Sequence, residues 1–234
     1  MKPSARDIAR KWGTRIWRGW IRPILFVVII LGSFRSAVAD WNDVPTGSMR
    51  PTILEGDRIV VNKLAYGLRV PFTPWSIVDW STPQRGDVVI CFAPDTGERL
   101  VKRVVGVPGD TVSMVDNVLL VNGRRIACTA DTPETPLPDW SAGRPRAGTE
   151  SLDGRDHAVQ FLPGVQARRS FAPVTLQPDE YFVLGDNRDA SRDSRYFGTV
   201  DRRQIVGEVV AIAGSLDPSR HYLPRWDRFF EPVE

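Results

Sequence analysis

Leu100-Val101-Lys102-Arg103-Val104-Val105 is the stretch of sequence that decides the fold. Four of its six residues are Leu or Val, and such apolar, largely β-branched runs favour strands. A strand places alternate side chains on opposite faces. Lys102 therefore shares a face with Leu100 and Val104, whereas Arg103 points the other way. The run predicts a strand in which one lysine amine lies against an apolar wall.

Similar runs follow one another after residue 40, each bounded by Gly, Pro or Asp. They cover residues 57–63, 87–92, 117–121, 181–184 and 204–212. Asn122-Gly123, between two such runs, is typical of a type I′ hairpin turn. We therefore predict a mainly β fold, an antiparallel coiled sheet that resembles a β-barrel, with an N-terminal helix before it.

Composition divides the chain into segments. At 234 residues and 42% hydrophobic content, it can bury one sizeable core. We assign this β core to residues 40–128 and 178–215. Prolines, glycines and charges replace any periodicity over 129–177, which predicts an irregular insertion that contributes little to the core. Residues 216–234 form a C-terminal tail.

The positive charge of the chain is concentrated at its N-terminus. Residues 1–22 carry seven basic side chains and one acidic side chain, whereas the net charge of the whole chain is only +3. The remainder is therefore acidic overall and has no excess charge to offer phosphates. This distribution argues against nucleic acid as a partner.

An apolar run follows this basic head. Residues 24–34 contain no charge, and tryptophans flank the run on both sides, at Trp20 and Trp41. About 20 residues are needed to cross a bilayer, and residues 20–39 supply that length. We predict a transmembrane anchor over 20–39 and a basic cytoplasmic head over 1–19. The positive-inside rule then places everything after Trp41 outside the cytoplasm.

A secretory signal peptide is the competing interpretation of the same segment. Its basic start, short apolar run and small residues Ala37-Val38-Ala39 match a leader that is cut before Asp40. Both interpretations export the β domain, and the flanking tryptophans favour the anchor. The Ala39–Asp40 bond is also a candidate for self-cleavage.

A possible nucleophile lies in the segment Pro45-Thr46-Gly47-Ser48-Met49-Arg50-Pro51-Thr52. A serine hydroxyl needs a base to remove its proton, and the chain offers only two histidines, neither in a suitable pattern. Lys102 is the alternative, because apolar neighbours lower the pKa of a lysine amine. The Ser48 amide and the Thr46 hydroxyl could together stabilise an oxyanion.

A third motif lies near the C-terminus, where residues 181–198 read YFVLGDNRDASRDSRYFG. With the segments 45–52, 56–63, 85–89 and 101–110, it forms a set of five ordered motifs. In these motifs the sequence resembles the bacterial type I signal peptidases, membrane-anchored serine proteases that remove signal peptides from exported proteins. The resemblance covers almost the whole chain except the insertion over 129–177.

The resemblance implies a role for individual residues. Ser48 would be the nucleophile and Lys102 the general base, with Thr46 and Ser48 supplying the oxyanion donors. Ser191 would orient the Lys102 amine. Asp193, Arg195 and Asp186 would support its loop. Apolar pockets for small substrate residues at −1 and −3 would be lined by Val44, Pro45, Met49, Ile53, Leu100 and Val101.

The resemblance also implies partners and a location. The expected partners are exported preproteins and the phospholipid bilayer, and the substrate would add as an extended strand beside residues 42–45 and 100–102. The expected location is the bacterial cytoplasmic membrane, with the catalytic domain on its outer side. The alternatives are a specialised conjugation or pilin-processing peptidase and an inactive anchored binding module. A self-cleaving repressor-type protease also uses Ser and Lys, but it would carry a DNA-binding domain and no anchor.

Two further features complete the sequence-based expectations. Cys91 and Cys128 lack metal-ligand spacing, so we expect neither a metal site nor a cofactor. A disulfide between them is permitted outside the cytoplasm, but a buried free thiol is favoured for Cys91. The aromatic segment 71–80 is either buried in the core or exposed as a patch that dips into the bilayer.

Overall fold

The computed structural model describes residues 17–70, 73, 75–130 and 145–233. Helix α1, Arg22–Ala37, follows a π-helical turn over Trp17–Ile21. Its apolar side chains from Ile24 to Leu31 are each 50–64% exposed. No helix within the described residues has both the length and the apolar character needed to cross a membrane. The transmembrane anchor over 20–39 therefore stays a prediction, and the first sixteen residues of the basic head lie outside the described part.

Strands make up nearly all of the remaining regular structure, as predicted. In chain order they are β1 (Ala39–Asp43), β2 (Asp57–Asn62), β3 (Gly67–Arg69), β4 (Ser76–Asp79), β5 (Val88–Phe92), β6 (Arg99–Gly106), β7 (Thr111–Val115), β8 (Val118–Val121), β9 (Arg124–Arg125), β10 (Cys128–Ala130), β11 (Arg146–Leu152), β12 (Arg155–Phe161), β13 (Phe171–Thr175), β14 (Glu180–Leu184), β15 (Val200–Asp201), β16 (Ile205–Asp217), β17 (Leu223–Pro224) and β18 (Glu231–Pro232). A one-turn helix α2, Ser194–Phe197, lies between β14 and β15.

The main sheet has the order β1-β2-β16-β5-β6-β14-β15, and β17 and β18 pair with β16. Its pairings are antiparallel. Although β1 and β6 are four places apart in this order, the Asp40 carboxylate of β1 lies 3.5 Å from the Arg99 guanidinium of β6. The sheet must therefore curl until these strands face each other. This curled half-barrel confirms the mainly β, antiparallel prediction.

Two smaller sheets pack beside the main one. Their strand orders are β13-β7-β8-β9 and β10-β11-β12, and β3 and β4 form a separate hairpin. Asn122 and Gly123 both have positive φ, 53° and 74°, in the turn between β8 and β9. That conformation fits the predicted hairpin turn. Three apolar clusters fill the interior, and the one beside Lys102 contains Val89, Cys91 and Val104.

Within the predicted insertion over 129–177, residues 145–177 are more ordered than the sequence suggested. Residues 145–177 include β11, β12 and β13, and Leu152 and Val159 are fully buried. Glu150 is also buried, where it pairs with Arg188. The prediction of an irregular segment was wrong here, because β11 reads Arg-Ala-Gly-Thr-Glu-Ser-Leu and has no apolar alternation to reveal a strand.

The predicted tail also contacts the sheet. Strands β17 and β18 both pair with β16. Arg228 donates to the Asp57 carboxylate at 2.8 Å and to the Thr52 carbonyl at 2.9 Å. The end of the chain thereby holds the segment that follows the proposed nucleophile.

Candidate active site

The proposed nucleophile lies in a tight turn that a distant loop holds in place. The Arg50 amide donates to the Gly47 carbonyl at 3.2 Å, which closes the turn around Ser48. Asn187 then donates from its backbone to the Ser48 carbonyl at 3.1 Å and from its side chain to the Gly47 carbonyl at 3.0 Å. A Cβ at Gly47 would lie 2.6 Å from the Glu55 carboxylate, so a larger residue there would displace the Glu55 side chain.

Lys102 reaches this turn from the middle of β6. Its Nζ lies 2.7 Å from the Ser48 Oγ and donates to the Val101 carbonyl at 2.8 Å. The two predicted residues, 54 positions apart in sequence, are thus in direct hydrogen-bond contact. A base must be within about 2.6–3.2 Å of the proton that it removes, and this pair meets that condition.

Burial makes the Lys102 amine a better base than a free lysine. The residue is only 2% exposed. Leu100 and Val104, on the same face of β6, pack with Val89 and Cys91 of β5. Desolvation lowers the pKa of Lys102 below its ordinary value, although the Asp193 carboxylate opposes this effect. The apolar wall expected from strand alternation is therefore present, and it favours the neutral amine.

Ser191 is close to the nucleophile but does not bond to the amine. Its hydroxyl is buried and has no hydrogen-bond partner among the described residues. A Cβ at Gly185 would lie 2.2 Å from the Ser191 Oγ and 2.4 Å from the Ser48 carbonyl oxygen. The predicted hydrogen bond to Lys102 is absent from this structure, in which the amine contacts Ser48 and Val101.

The loop that carries Ser191 is held by a buried ion pair. Asp193 accepts from the Arg195 Nε and Nη2, both at 2.8 Å, and from the Gly185 amide at 3.0 Å. Arg195 also donates to the carbonyls of Arg188 and Arg168. Both members of the pair are fully buried. Their positions fit the predicted support of the loop.

A second buried ion pair ties this loop to β6. Arg103 donates to the two carboxylate oxygens of Asp186, each at 2.9 Å, and to the Gly86 carbonyl at 2.7 Å. Thr52 adds a hydrogen bond to Asp186 at 2.6 Å. Burial alone would raise the pKa of Asp186, but the Arg103 guanidinium and the Thr52 hydroxyl hold it below the ordinary value. Neighbouring residues of β6 thus contact two different parts of the site. Lys102 contacts Ser48, and Arg103 contacts Asp186.

Arg103→Ala should destabilise the fold strongly. The substitution leaves the buried Asp186 carboxylate without its guanidinium, and breaking such a pair costs about 3–5 kcal/mol. Urea unfolding measures this loss. The control is Arg203→Ala, because the Arg203 side chain is 89% exposed and pairs with Asp201 at the surface; its cost should stay under ~1 kcal/mol. Equal stabilities of the two variants would contradict a structural role for the Arg103–Asp186 pair.

The oxyanion donors predicted from sequence lie on the accessible side of the turn. Thr46 is exposed and Ser48 is half-buried. The Ser48 amide donates to no acceptor in the described part of the chain. Both residues line a cleft of about 260 Å³ beside Lys102. An incoming carbonyl oxygen could therefore meet the amide and the hydroxyl together.

The cleft lies between residues 42–46 and residues 98–102. Five of the six predicted pocket residues line it, namely Val44, Pro45, Met49, Leu100 and Val101. Ile53 does not line it: this side chain is 0% exposed within the core cluster that contains Ile59 and Val61. The assignment of Ile53 to a substrate pocket is therefore corrected to a core position. Ile90, which the sequence did not single out, lies in the wall of the cleft.

Comparison with known proteins shows the family of the chain. The family model described as signal peptidase, peptidase S26, matches residues 17–213. The chain belongs to this family. A signal peptidase I of Pseudomonas aeruginosa is 35% identical over 229 residues, covering 88% of this chain and 75% of the relative. Signal peptidase I P of Bacillus subtilis subsp. natto is 31% identical over 203 residues, covering 86% and 91%. As a member of family S26, the chain is a serine peptidase.

Proposed function

We propose that this S26 peptidase removes N-terminal signal peptides from exported preproteins, with Ser48 as nucleophile and neutral Lys102 as general base. The observation that carries the proposal is the 2.7 Å contact between the Lys102 Nζ and the Ser48 Oγ. The amine in this contact is buried and its pKa is lowered by desolvation. A neutral amine at this distance can take the serine proton as the hydroxyl attacks.

The reaction then follows two stages. Lys102 takes the Ser48 proton while Oγ attacks the carbonyl carbon of the substrate residue at −1. The Ser48 amide and the Thr46 hydroxyl stabilise the oxyanion that forms. The protonated amine returns its proton to the departing nitrogen of residue +1, which leaves the signal peptide as an ester on Ser48. Water, activated by Lys102, hydrolyses the ester and restores both side chains.

The curled sheet offers the substrate two free strand edges. Strand β14 pairs with β6 only at Arg103, Val104 and Gly106, so residues 99–102 have a strand neighbour on one side only. Strand β1 is the first strand of the sheet. An extended peptide between them would present its −1 and −3 side chains to the same face. The small volume of the cleft favours small residues at both positions.

Membrane anchoring is part of the proposal. The apolar side chains of α1 from Ile24 to Leu31 are half exposed or more, and no other described residue covers them. The basic segment that precedes them would remain in the cytoplasm by the positive-inside rule. The peptidase domain would then lie on the outer side of the bacterial cytoplasmic membrane, where exported preproteins emerge.

N-terminal sequencing of cleaved preproteins tests the function directly. The detergent-solubilised chain is incubated with a preprotein whose −1 and −3 residues are alanine. We expect one new N-terminus, at the residue that follows the −1 alanine. Replacing either alanine by leucine should reduce cleavage strongly, because the proposed pockets at −1 and −3 accept small side chains. Equal cleavage of the leucine substrates would refute the proposed specificity.

Trp75 and Trp80 should contribute to membrane contact. Trp75 is 72% and Trp80 is 55% exposed, and every residue of β4 between them is exposed too. The alternative of core burial is therefore wrong for these residues. Pro71, Phe72 and Pro74 lie outside the described part. Replacing both tryptophans by alanine should weaken vesicle binding of a domain starting at residue 40 by roughly tenfold or more. Val115→Ala, at another exposed apolar position, is the control. Unchanged affinity of the double variant would refute membrane contact here.

A further inference from the structure

Asn187 connects the loop after β14 to the turn that carries the nucleophile. Its backbone amide donates to the Ser48 carbonyl at 3.1 Å, and its side-chain Nδ2 donates to the Gly47 carbonyl at 3.0 Å. The residue is only 4% exposed. It therefore holds two successive carbonyl groups of the turn, and the second of these bonds depends on the identity of its side chain.

The bond to Gly47 fixes the direction of the Ser48 amide. The Gly47 carbonyl and the Ser48 N–H belong to one peptide unit, and this unit is trans, because the one cis bond among the described residues precedes Pro51. A trans peptide unit is planar, and its C=O and N–H point in opposite directions. Since Asn187 holds the carbonyl, the N–H must point away from Asn187. Accepting this bond also polarises the peptide unit, which strengthens its N–H as a donor.

The other end of the Asn187 amide indicates that the site uses its donor. Oδ1 is buried and has no hydrogen-bond partner in the part of the chain that the structure describes. An unpaired buried acceptor lowers the stability of a fold, whereas an apolar side chain of similar size carries no such cost. The reversed amide would place Oδ1 against the Gly47 carbonyl, and two acceptors form no hydrogen bond. Stability alone therefore does not account for asparagine at this position.

Neighbouring backbone bonds fix the position of Asn187 itself. The Gln160 amide of β12 donates to the Asp186 carbonyl at 2.8 Å, and the Arg188 amide donates to the Gln160 carbonyl at 2.9 Å. The Arg188 guanidinium also pairs with the buried Glu150 carboxylate of β11. The residues on both sides of Asn187 are thus tied to β11 and β12, so its side chain projects from a supported segment.

We propose that Asn187 is a positioning residue that aims the Ser48 amide at the oxyanion formed during cleavage. The inference rests on the proposed function, in which this amide is an oxyanion donor. It deepens that function by assigning the direction of the amide to a side chain that lies 140 residues away in sequence and does not line the substrate cleft.

Asn187→Leu tests the inference with the full chain in detergent. Leucine has a similar size but no donor, and the backbone bond from residue 187 to the Ser48 carbonyl is retained. We expect kcat to fall about 10- to 100-fold with KM nearly unchanged, because an oxyanion interaction stabilises the transition state. Losing an oxyanion donor outright costs about 10²–10³-fold, and here the amide remains but loses its aim. Asn187→Gln, which keeps a side-chain amide, should recover part of the loss.

A peptide aldehyde with alanine at −1 and −3 gives a readout that general damage does not imitate. The Ser48 Oγ adds to the aldehyde carbon, Lys102 takes the Oγ proton, and the former carbonyl oxygen becomes an oxyanion beside the Ser48 amide. The corresponding peptide alcohol has no carbonyl and forms no oxyanion. Asn187→Leu should weaken inhibition by the aldehyde about tenfold or more and leave inhibition by the alcohol unchanged.

Asn117→Ala is the matched control. The Asn117 Nδ2 donates to the Asp189 carboxylate at 3.2 Å, so it holds the same loop without contacting the turn at Ser48. Asn117 also has a positive φ of 66°, which alanine disfavours. Urea unfolding should therefore show a loss of stability in this variant, whereas its kcat and its ratio of aldehyde to alcohol inhibition should match those of the wild type.

The outcomes separate this inference from the proposed function. If the wild type cleaves after small residues but Asn187→Leu keeps the wild-type kcat and inhibition ratio, the inference is overturned and the proposed function stands. Equal weakening of aldehyde and alcohol would overturn it too, since that pattern reports a damaged cleft. Asn187→Ala carries the same comparison if the leucine variant does not fold. If the wild type cleaves no preprotein, the proposed function itself fails. A loss selective for the aldehyde, absent from Asn117→Ala, supports both.

Discussion

Ser48→Ala should reduce kcat/KM for preprotein cleavage on the order of 10⁵-fold, because removing a serine nucleophile eliminates the covalent route. The Ser48 Oγ is the atom that contacts the Lys102 amine, and no other described side-chain hydroxyl bonds to that amine. The alanine variant keeps the backbone amide of residue 48, so substrate binding should change little. The measurement is single-turnover cleavage followed by gel analysis of precursor and product.

The control for this variant is Ser81→Ala, at an exposed loop position outside the cleft. It should cleave at the wild-type rate. Thermal unfolding should give both variants midpoints close to that of the wild type, since the Ser48 side chain makes a single hydrogen bond. Cleavage by Ser48→Ala at more than a hundredth of the wild-type rate would refute Ser48 as the nucleophile.

The sequence predicted the pairing of Ser48 with Lys102 because its evidence was local. Alternation along one strand placed Lys102 against apolar residues, and the composition of the turn identified Ser48. The contacts that fix the pair are not local. Asn187 is 140 residues from Gly47 in sequence and nevertheless donates to its carbonyl. No pattern in a single sequence indicates such a contact.

Burial was the least predictable property. Ile53 and Val101 are both apolar residues near the site, yet only Val101 faces the cleft. A charged residue shows the opposite case. Glu150 lies in a polar strand, where exposure is expected, yet it is buried and pairs with Arg188. In both cases the outcome depends on which distant element packs against the residue. Local periodicity cannot supply that information.

Lys102→Met should abolish cleavage without destabilising the fold. Methionine matches the length of the lysine side chain but has no amine, so Ser48 loses its base and the rate should fall on the order of 10⁴-fold or more. The side chain would lie against Leu100 and Val104, which already form an apolar wall. An apolar side chain fits this site at least as well as an amine that burial disfavours in its charged form. Cleavage assays and urea unfolding measure the two effects.

The difference in stability between Lys102→Met and the wild type should decrease as the pH rises. The pKa of Lys102 is lower in the folded protein than its ordinary value of 10.5. The unfolded chain therefore holds more protons at pH values between the folded and unfolded pKa, and wild-type stability rises with pH across that window. Lys102→Met lacks this titration, so its stability advantage over the wild type should be greatest at low pH and shrink as the pH approaches 10.5.

Activity gives an independent check of the same pKa. Wild-type kcat/KM should rise with pH as the amine loses its proton, with a midpoint below that of a free lysine. Lys102→Arg should be inactive at every pH, because a guanidinium stays protonated and cannot act as a base. A rate that is independent of pH in the wild type, or substantial cleavage by Lys102→Arg, would contradict a neutral amine as the general base. If Lys102→Met and Lys102→Arg both fold and are both inactive, the proton transfer is assigned to the Lys102 Nζ.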